Sequence, residues 1–219
     1  MDSYPGRAPT GPRNAGLNST AISGSSGAAP LWLKLAYGGF VAVLVPVYWH
    51  HYGPQNFLWL SDLALFATTA TVVTGARWPA GMAAVGVLPL EIAWNADFIA
   101  GGRVLNLAGY MFDPATPLYL RGLSLFHVAL PPTLLWLLHR IGYDRRSFVR
   151  QTALTTILLP LTWLTTTPEK NINWVFGPGK GAQNALPPLL YLALEMAALP
   201  LLAFLPMHFL LKRLFNRGR

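Results

Sequence analysis

The sequence predicts an all-α protein: a polytopic helical membrane bundle of about six transmembrane helices with both termini in the cytoplasm. Three observations lead there. Of 219 residues, 53% are hydrophobic and only 11% charged, where a soluble domain carries about a quarter charged residues. Apolar stretches long enough to cross ~30 Å of hydrocarbon recur from Leu31 onward with short polar breaks between them. No segment alternates polar and apolar residues as an outer-membrane strand does, so satisfying the backbone in lipid requires helices. This composition excludes a soluble enzyme. With no cysteine in the chain, disulfides, iron-sulfur clusters and thiol nucleophiles are excluded too.

Residues 1–29 are Gly, Ser, Pro, Ala and Asn with almost no large apolar side chain, which predicts a disordered cytoplasmic tail. A signal peptide would need an early unbroken apolar core, and none precedes Leu31. The transmembrane domain then occupies 30–213, and 214–219 form a basic tail. Six spans are expected at 31–49, 57–76, 78–99, 118–139, 151–167 and 186–211; the fifth is short and rich in threonine. Ten of the nineteen prolines fall within these spans or at their ends, so kinked helices are expected.

Orientation follows from the basic residues, which concentrate on the cytoplasmic side of short loops. Twelve of the sixteen Lys and Arg residues fall on the side of the termini, including the Arg140, Arg145, Arg146 and Arg150 cluster. Arg103, Arg121, Lys170 and Lys180 fall on the other. The net charge of +8 is thus a topology signal for the cell's plasma or inner membrane. It argues for contact with anionic membrane lipids and against nucleic acid, which would need a clustered basic face with interleaved aromatics. Oligomeric state leaves no mark in the pattern.

An ionisable side chain inside a span costs ~2.5–3.5 kcal/mol on insertion scales, so each one is a candidate for function. Asp62, Glu91, His127 and Glu195 lie six to nine residues from the non-cytoplasmic ends of four different spans. At 1.5 Å per residue they share one layer roughly 9–14 Å below that surface. Three carboxyls close together in low dielectric cannot all be ionised, so the layer should hold shared protons, with His127 as base or charged partner. His208 lies near the cytoplasmic end of its span, where interfacial exposure explains it.

Ser61 precedes Asp62, and Ser124 lies one turn before His127 in the pattern S-x-x-H. A hydroxyl, a histidine and a carboxylate are the parts of a hydroxyl nucleophile with its base and orienting acid. The outer loops are polar and aromatic, notably 50–56 and 169–174, and would form a lid over this layer. His50, His51, Asp97 and Asp113 are residue types that a divalent metal would use, but no paired-histidine spacing accompanies them, so no metal is expected. The chain has no G-x-S-x-G, phosphate-binding loop or dinucleotide fingerprint, and no cofactor is expected.

Leu60-Ser61-Asp62-Leu63-Ala64, His127, Asn171-Ile172-Asn173-Trp174-Val175-Phe176 and Leu186-Pro187-Pro188 leading into Tyr191–Glu195 together resemble the YwaF-type bacterial six-span integral membrane family. That family is similar to eukaryotic transmembrane acyltransferases and to androgen-induced lipid-ester hydrolases. The resemblance covers about residues 50–211 and implies acyl transfer or ester hydrolysis on a lipid, with the nucleophile early in span two and His127 as base. Where many relatives carry a Cys before the Asp this chain has Ser61, and the loop after Asn173 is shorter. A hydroxyl there needs a better base than a thiol does, or else the site is inactive. Two other functions fit the same residues: a small proton-coupled transporter sharing Asp62, Glu91 and Glu195, and a noncatalytic assembly subunit whose buried polar groups only join helices. No inverted repeat or pair of broken helices is visible in the pattern.

Overall fold

A computed structural model of the chain describes residues 29–179 and 181–215. The expected N-terminal tail, apart from Ala29, and residues 216–219 lie outside the described residues. Among the described residues the regular structure is helical and includes no strand. The helices are α1 Leu31–Tyr52, α2 Leu60–Thr74, α3 Arg77–Ile99, α4 Leu118–Ser124, α5 Phe126–Ile141, α6 Ser147–Thr165, α7 Pro188–Ala198 and α8 Leu205–Phe215. A break at Leu125 separates α4 from α5, and a π-helical turn over Leu199–Phe204 joins α7 to α8.

Four helices are long and apolar enough to cross a membrane: α1, α3, the α4–α5 unit and the α7–α8 unit. The other two are shorter or more polar. The 15 residues of α2 rise about 22 Å, because a 3-10 turn at Pro54–Leu58 takes the start of the expected span and Gly75, at φ 76°, ends it in the left-handed conformation. α6 begins four residues earlier than expected, and threonine hydroxyls serve its polar groups internally. Thr156, Thr162 and Thr165 each donate to the carbonyl four residues back, on Thr152, Leu158 and Leu161.

α3 is the central helix: half of its apolar window is buried, against 22% for α1 and 17% for the α7–α8 unit. The main core joins Leu44, Leu65, Val72, Leu88, Leu130, Leu134 and Phe204 from helices around it. Leu31, Leu35, Val43, Ile157, Leu164, Leu201 and Leu202 are exposed, as apolar side chains facing hydrocarbon would be. Two glycines bring α6 close to α3. A Cβ at Gly81 would strike the Ser147 hydroxyl, and one at Gly86 the Gln151 side chain. Small residues at a helix seam are the usual means of close approach in lipid.

Long-range bonds gather the connections into two ends. Tyr119 meets His51, and Lys170 donates to the Tyr52 carbonyl, at one end. At the other, Thr71 accepts from the Ala80 amide, and Tyr143 bonds both His208 and the carbonyl of Phe215. Beside Tyr143, Asp144 accepts from the Arg146 amide at 2.9 Å and from the Arg150 guanidinium at 2.6 Å. Burial acts to raise the Asp144 carboxyl, but these two donors outweigh it and hold the group below its ordinary value. Its ionised form therefore stabilises the fold above the unfolded carboxylate range, and that contribution disappears as pH falls through the lower folded value. The melting temperature of purified protein should exceed that of Asp144→Asn at neutral pH, with the gap closing below about pH 4. A gap of the same size at every pH would show that the carboxylate charge contributes nothing.

Candidate functional site

The site begins with a proline. Pro131 in α5 has no amide hydrogen, so the carbonyl of His127, four residues earlier, loses its helical donor. Asn95 of α3 supplies one: its Nδ2 donates to the His127 carbonyl at 2.8 Å and also to the carbonyl of Glu91, one turn back on its own helix, at 2.8 Å. That cross-link sets α3 against α5 with Glu91 and His127 face to face. Nδ1 of His127 lies 2.9 Å from one carboxylate oxygen of Glu91 and 3.1 Å from the other. Glu91 is buried, and the His127 side chain is 13% exposed. The imidazole is held flat between Trp94, at 4.6 Å, and Phe126, at 4.1 Å between ring centres.

Asp62, buried near the start of α2, adds a second carboxyl. One of its oxygens accepts from Asn56 at 3.0 Å, while Oδ1 is buried without a hydrogen-bond partner. Tyr48 of α1 and Ser124 of α4 close this region with a hydrogen bond of 2.9 Å between their hydroxyls. Glu91 and His127 thus form a close pair from two helices, and Asp62 is a further buried carboxyl at the start of α2.

The other two expected residues are placed elsewhere. Ser61 is half-buried one position along α2 and, among the described residues, makes no hydrogen bond to Asp62 or His127. Ser124 does not meet His127 either, because the break at Leu125 interrupts the helix between them and its hydroxyl bonds Tyr48. Glu195 sits on α7, where Leu192 and Met196 pack against Leu159 and Val175 in a separate core, and its Oε2 is buried without a hydrogen-bond partner. Among the described residues no three His, Asp or Glu side chains gather as metal ligands. Asp97 is committed to the loop above α3, accepting from the amides of Val104, Leu105 and Ala108.

Asn56, Asn95 and Asn173 also build the site, although none of them is a candidate in the sequence pattern. For Asn95 the signal was present, since it lies four residues after Glu91 and a proline lies four residues after His127. For Asn173 it was not, because its partners are remote in sequence. Asn173 Oδ1 accepts from the Leu60 amide at 2.9 Å, and its Nδ2 donates to the Leu58 carbonyl at 2.7 Å. It thereby caps α2 directly above Asp62 from 113 residues away. Lys170 and the Trp59–Trp174 ring contact fasten the same loop over the α1–α2 connection.

No protein family model, curated protein sequence or solved structure matches the chain. The geometry is therefore the basis for any functional conclusion. Its dependence on Asn173 can be measured by thermal unfolding in detergent. Asn173→Ala strands the Leu60 amide and the Leu58 carbonyl, each at a cost of about 1–3 kcal/mol, so the melting temperature should fall clearly. Asn173→Asp, which keeps the acceptor for Leu60, should fall less. An unchanged melting temperature in Asn173→Ala would show that water replaces the cap freely.

Proposed function

We propose that the protein is a multi-pass membrane protein that takes up and releases protons at the Asp62, Glu91 and His127 cluster, coupling that exchange to movement of a small solute. The observation that carries this reading is the pairing of His127 with both oxygens of the buried Glu91, together with the buried Asp62 carboxyl, one of whose oxygens has no hydrogen-bond partner. Helix joining alone needs one donor and one acceptor, and Asn95 already provides such a joint. Adding two carboxyls and an imidazole to it is expensive in a low-dielectric interior, and ionisable groups at membrane depth recur along proton and solute pathways. Interrupted helices add support. The break at Leu125 adjoins His127, and the π-helical turn interrupts the last long helix, although neither was visible in the sequence pattern. Discontinuous helices in transporters leave backbone groups free for solute and coupling ions, and π-turns are frequent at functional sites.

A second reading has its own support. Glu91 fixes Nδ1 of His127, the arrangement in which an acid orients a histidine as general base. On that reading, which the YwaF-type resemblance also implies, the protein is a membrane-embedded hydrolase or acyltransferase of a lipid ester, and water or an acceptor hydroxyl attacks in place of Ser61.

Proteoliposomes loaded with a pH-sensitive dye separate the two. Under an imposed pH gradient the wild-type protein should carry protons, Glu91→Gln and Asp62→Asn should fall to the level of protein-free vesicles, and Glu195→Gln should stay near wild type. Flux that survives Glu91→Gln would overturn the proton-site reading. Absence of flux together with lipid-ester hydrolysis that His127→Ala abolishes would put the second reading in its place, and normal folding with neither activity would leave an assembly subunit.

In this proposal α2 and α6 also cross, completing six spans in the plasma or inner membrane with both termini in the cytoplasm. Connections gathered alternately at two ends support it, as do the twelve basic residues on the side of the termini. The chain's lack of cysteine makes a clean test. In intact cells Ala115→Cys should react with a membrane-impermeant thiol reagent and Arg145→Cys should react only after permeabilisation. The reverse pattern would invert the topology.

A further inference from the structure

Two cavities adjoin on the outside of α2, α3 and α6. The first, of about 370 Å³, is walled by Leu63, Ala67 and Ala70 of α2, Ala83 and Val87 of α3 and Leu154 of α6. The second, of about 400 Å³, is lined by Trp78, Met82, Arg150 and Ala153. Trp78 and Met82 border both, so the two form one groove that runs from Leu60 at the start of α2 to the guanidinium of Arg150. Each volume falls within the ~300–1,000 Å³ typical of small-molecule sites.

We propose that this groove binds one anionic phospholipid, with an acyl chain along α2 and the phosphate on Arg150. The walls are apolar apart from Gln151, and the alanines at 67, 70 and 83 leave a furrow that this chain's own side chains do not fill. Its charged end is a single guanidinium, a group whose planar fork matches phosphate oxygens. Asp144 bonds one nitrogen of that guanidinium, Nη1, at 2.6 Å. The Trp78 ring, 51% exposed, stands between the apolar furrow and Arg150, where an aromatic side chain marks the boundary between acyl chain and headgroup. Arg145 and Arg146 in the adjoining connection and Arg77 at the start of α3 add positive charge at the same end, against the carboxylate of Asp144 among the described residues. That balance selects an anionic headgroup over a zwitterionic one.

The proposal is independent of the proton site and is tested on the purified full-length chain by native mass spectrometry. Phosphatidylglycerol and phosphatidylcholine with identical acyl chains are offered in turn. Phosphatidylglycerol should remain bound at severalfold higher occupancy, Arg150→Gln should remove that preference, and Ala70→Phe, which fills the furrow, should lower the occupancy of both lipids. Asp144→Asn should retain the preference, because it keeps the guanidinium while breaking the ion pair. Excess inorganic phosphate should not displace the lipid, since it has no chain to fill the furrow. Equal retention of the two lipids by the wild type, a preference that survives Arg150→Gln, its loss in Asp144→Asn, unchanged occupancy in Ala70→Phe, or displacement by phosphate would each overturn it.

Discussion

The contact between α3 and α5 at Asn95, Glu91 and His127 is the constraint around which that half of the bundle is arranged. A polar group carried into hydrocarbon has no water to return to, so its partner must come from another part of the chain. Pro131 removes the donor from the His127 carbonyl, and Asn95 restores it from the neighbouring helix. Once that bond is made, the rotation of α5 about its axis is fixed. The imidazole is then directed at Glu91 and enclosed between Trp94 and Phe126. A proline that would weaken an isolated helix thus specifies which face of α5 meets α3. Leu130 and Leu134, one and two turns further on, enter the apolar core below.

Much of this was legible in the sequence, for reasons that differ between parts. Helices α1 and α3 and the last span stand out by length and hydropathy, because an unbroken apolar run in lipid has one stable conformation. The meeting of Glu91 with His127 was also foreshadowed, since 1.5 Å per residue gives the two positions similar expected heights in their spans. Height does not fix azimuth. Ser61 is turned from Asp62 by one residue on α2, and Glu195 lies on a helix that packs against α6 instead. The S-x-x-H argument failed on a related point: it assumed continuous helix from Ser124 to His127, and Leu125 interrupts it. The start of α2 was misjudged because Phe57 and Leu58 are apolar yet belong to a 3-10 turn. The partners that hold that turn, Asn173 and Lys170, come from more than a hundred residues later.

The two ends of the molecule are held by different chemistry. At the end of the termini, charge predominates: Asp144 organises the Arg146 amide and the Arg150 guanidinium, while Tyr143 reaches across to His208 and to the end of α8. These groups lie in the densest region of positive charge, where an interfacial position keeps arginine solvated. At the opposite end, neutral amide side chains do most of the joining. Asn171 Nδ2 lies within hydrogen-bonding distance of the carbonyls of Gly177, Gly179 and Gly181, and its Oδ1 accepts from the Phe176 amide. Neutral donors and acceptors can be buried at lower cost than ions, which suits a loop that packs over the start of α2.

That loop carries three residues other than glycine in the left-handed region, Asn171 at φ 39°, Asn173 at 54° and Trp174 at 63°. Asparagine tolerates the conformation, but a tryptophan there is strained and persists only where its surroundings over-determine it. The bonds of Asn171 and Asn173 provide that determination, and the outcome is a backbone that turns Asn173 down onto Leu60 and sets Trp174 edge-on to Trp59. Asn56 lies in the 3-10 turn that this loop grips, and it is the hydrogen-bond partner of Asp62. One unbroken series of contacts therefore runs from the strained outer loop through Asn173, the start of α2 and Asn56 to a carboxyl whose other oxygen is unmatched. The same few hydrogen bonds that fasten this end of the fold thus also hold in place the turn that supplies the Asp62 partner, Asn56.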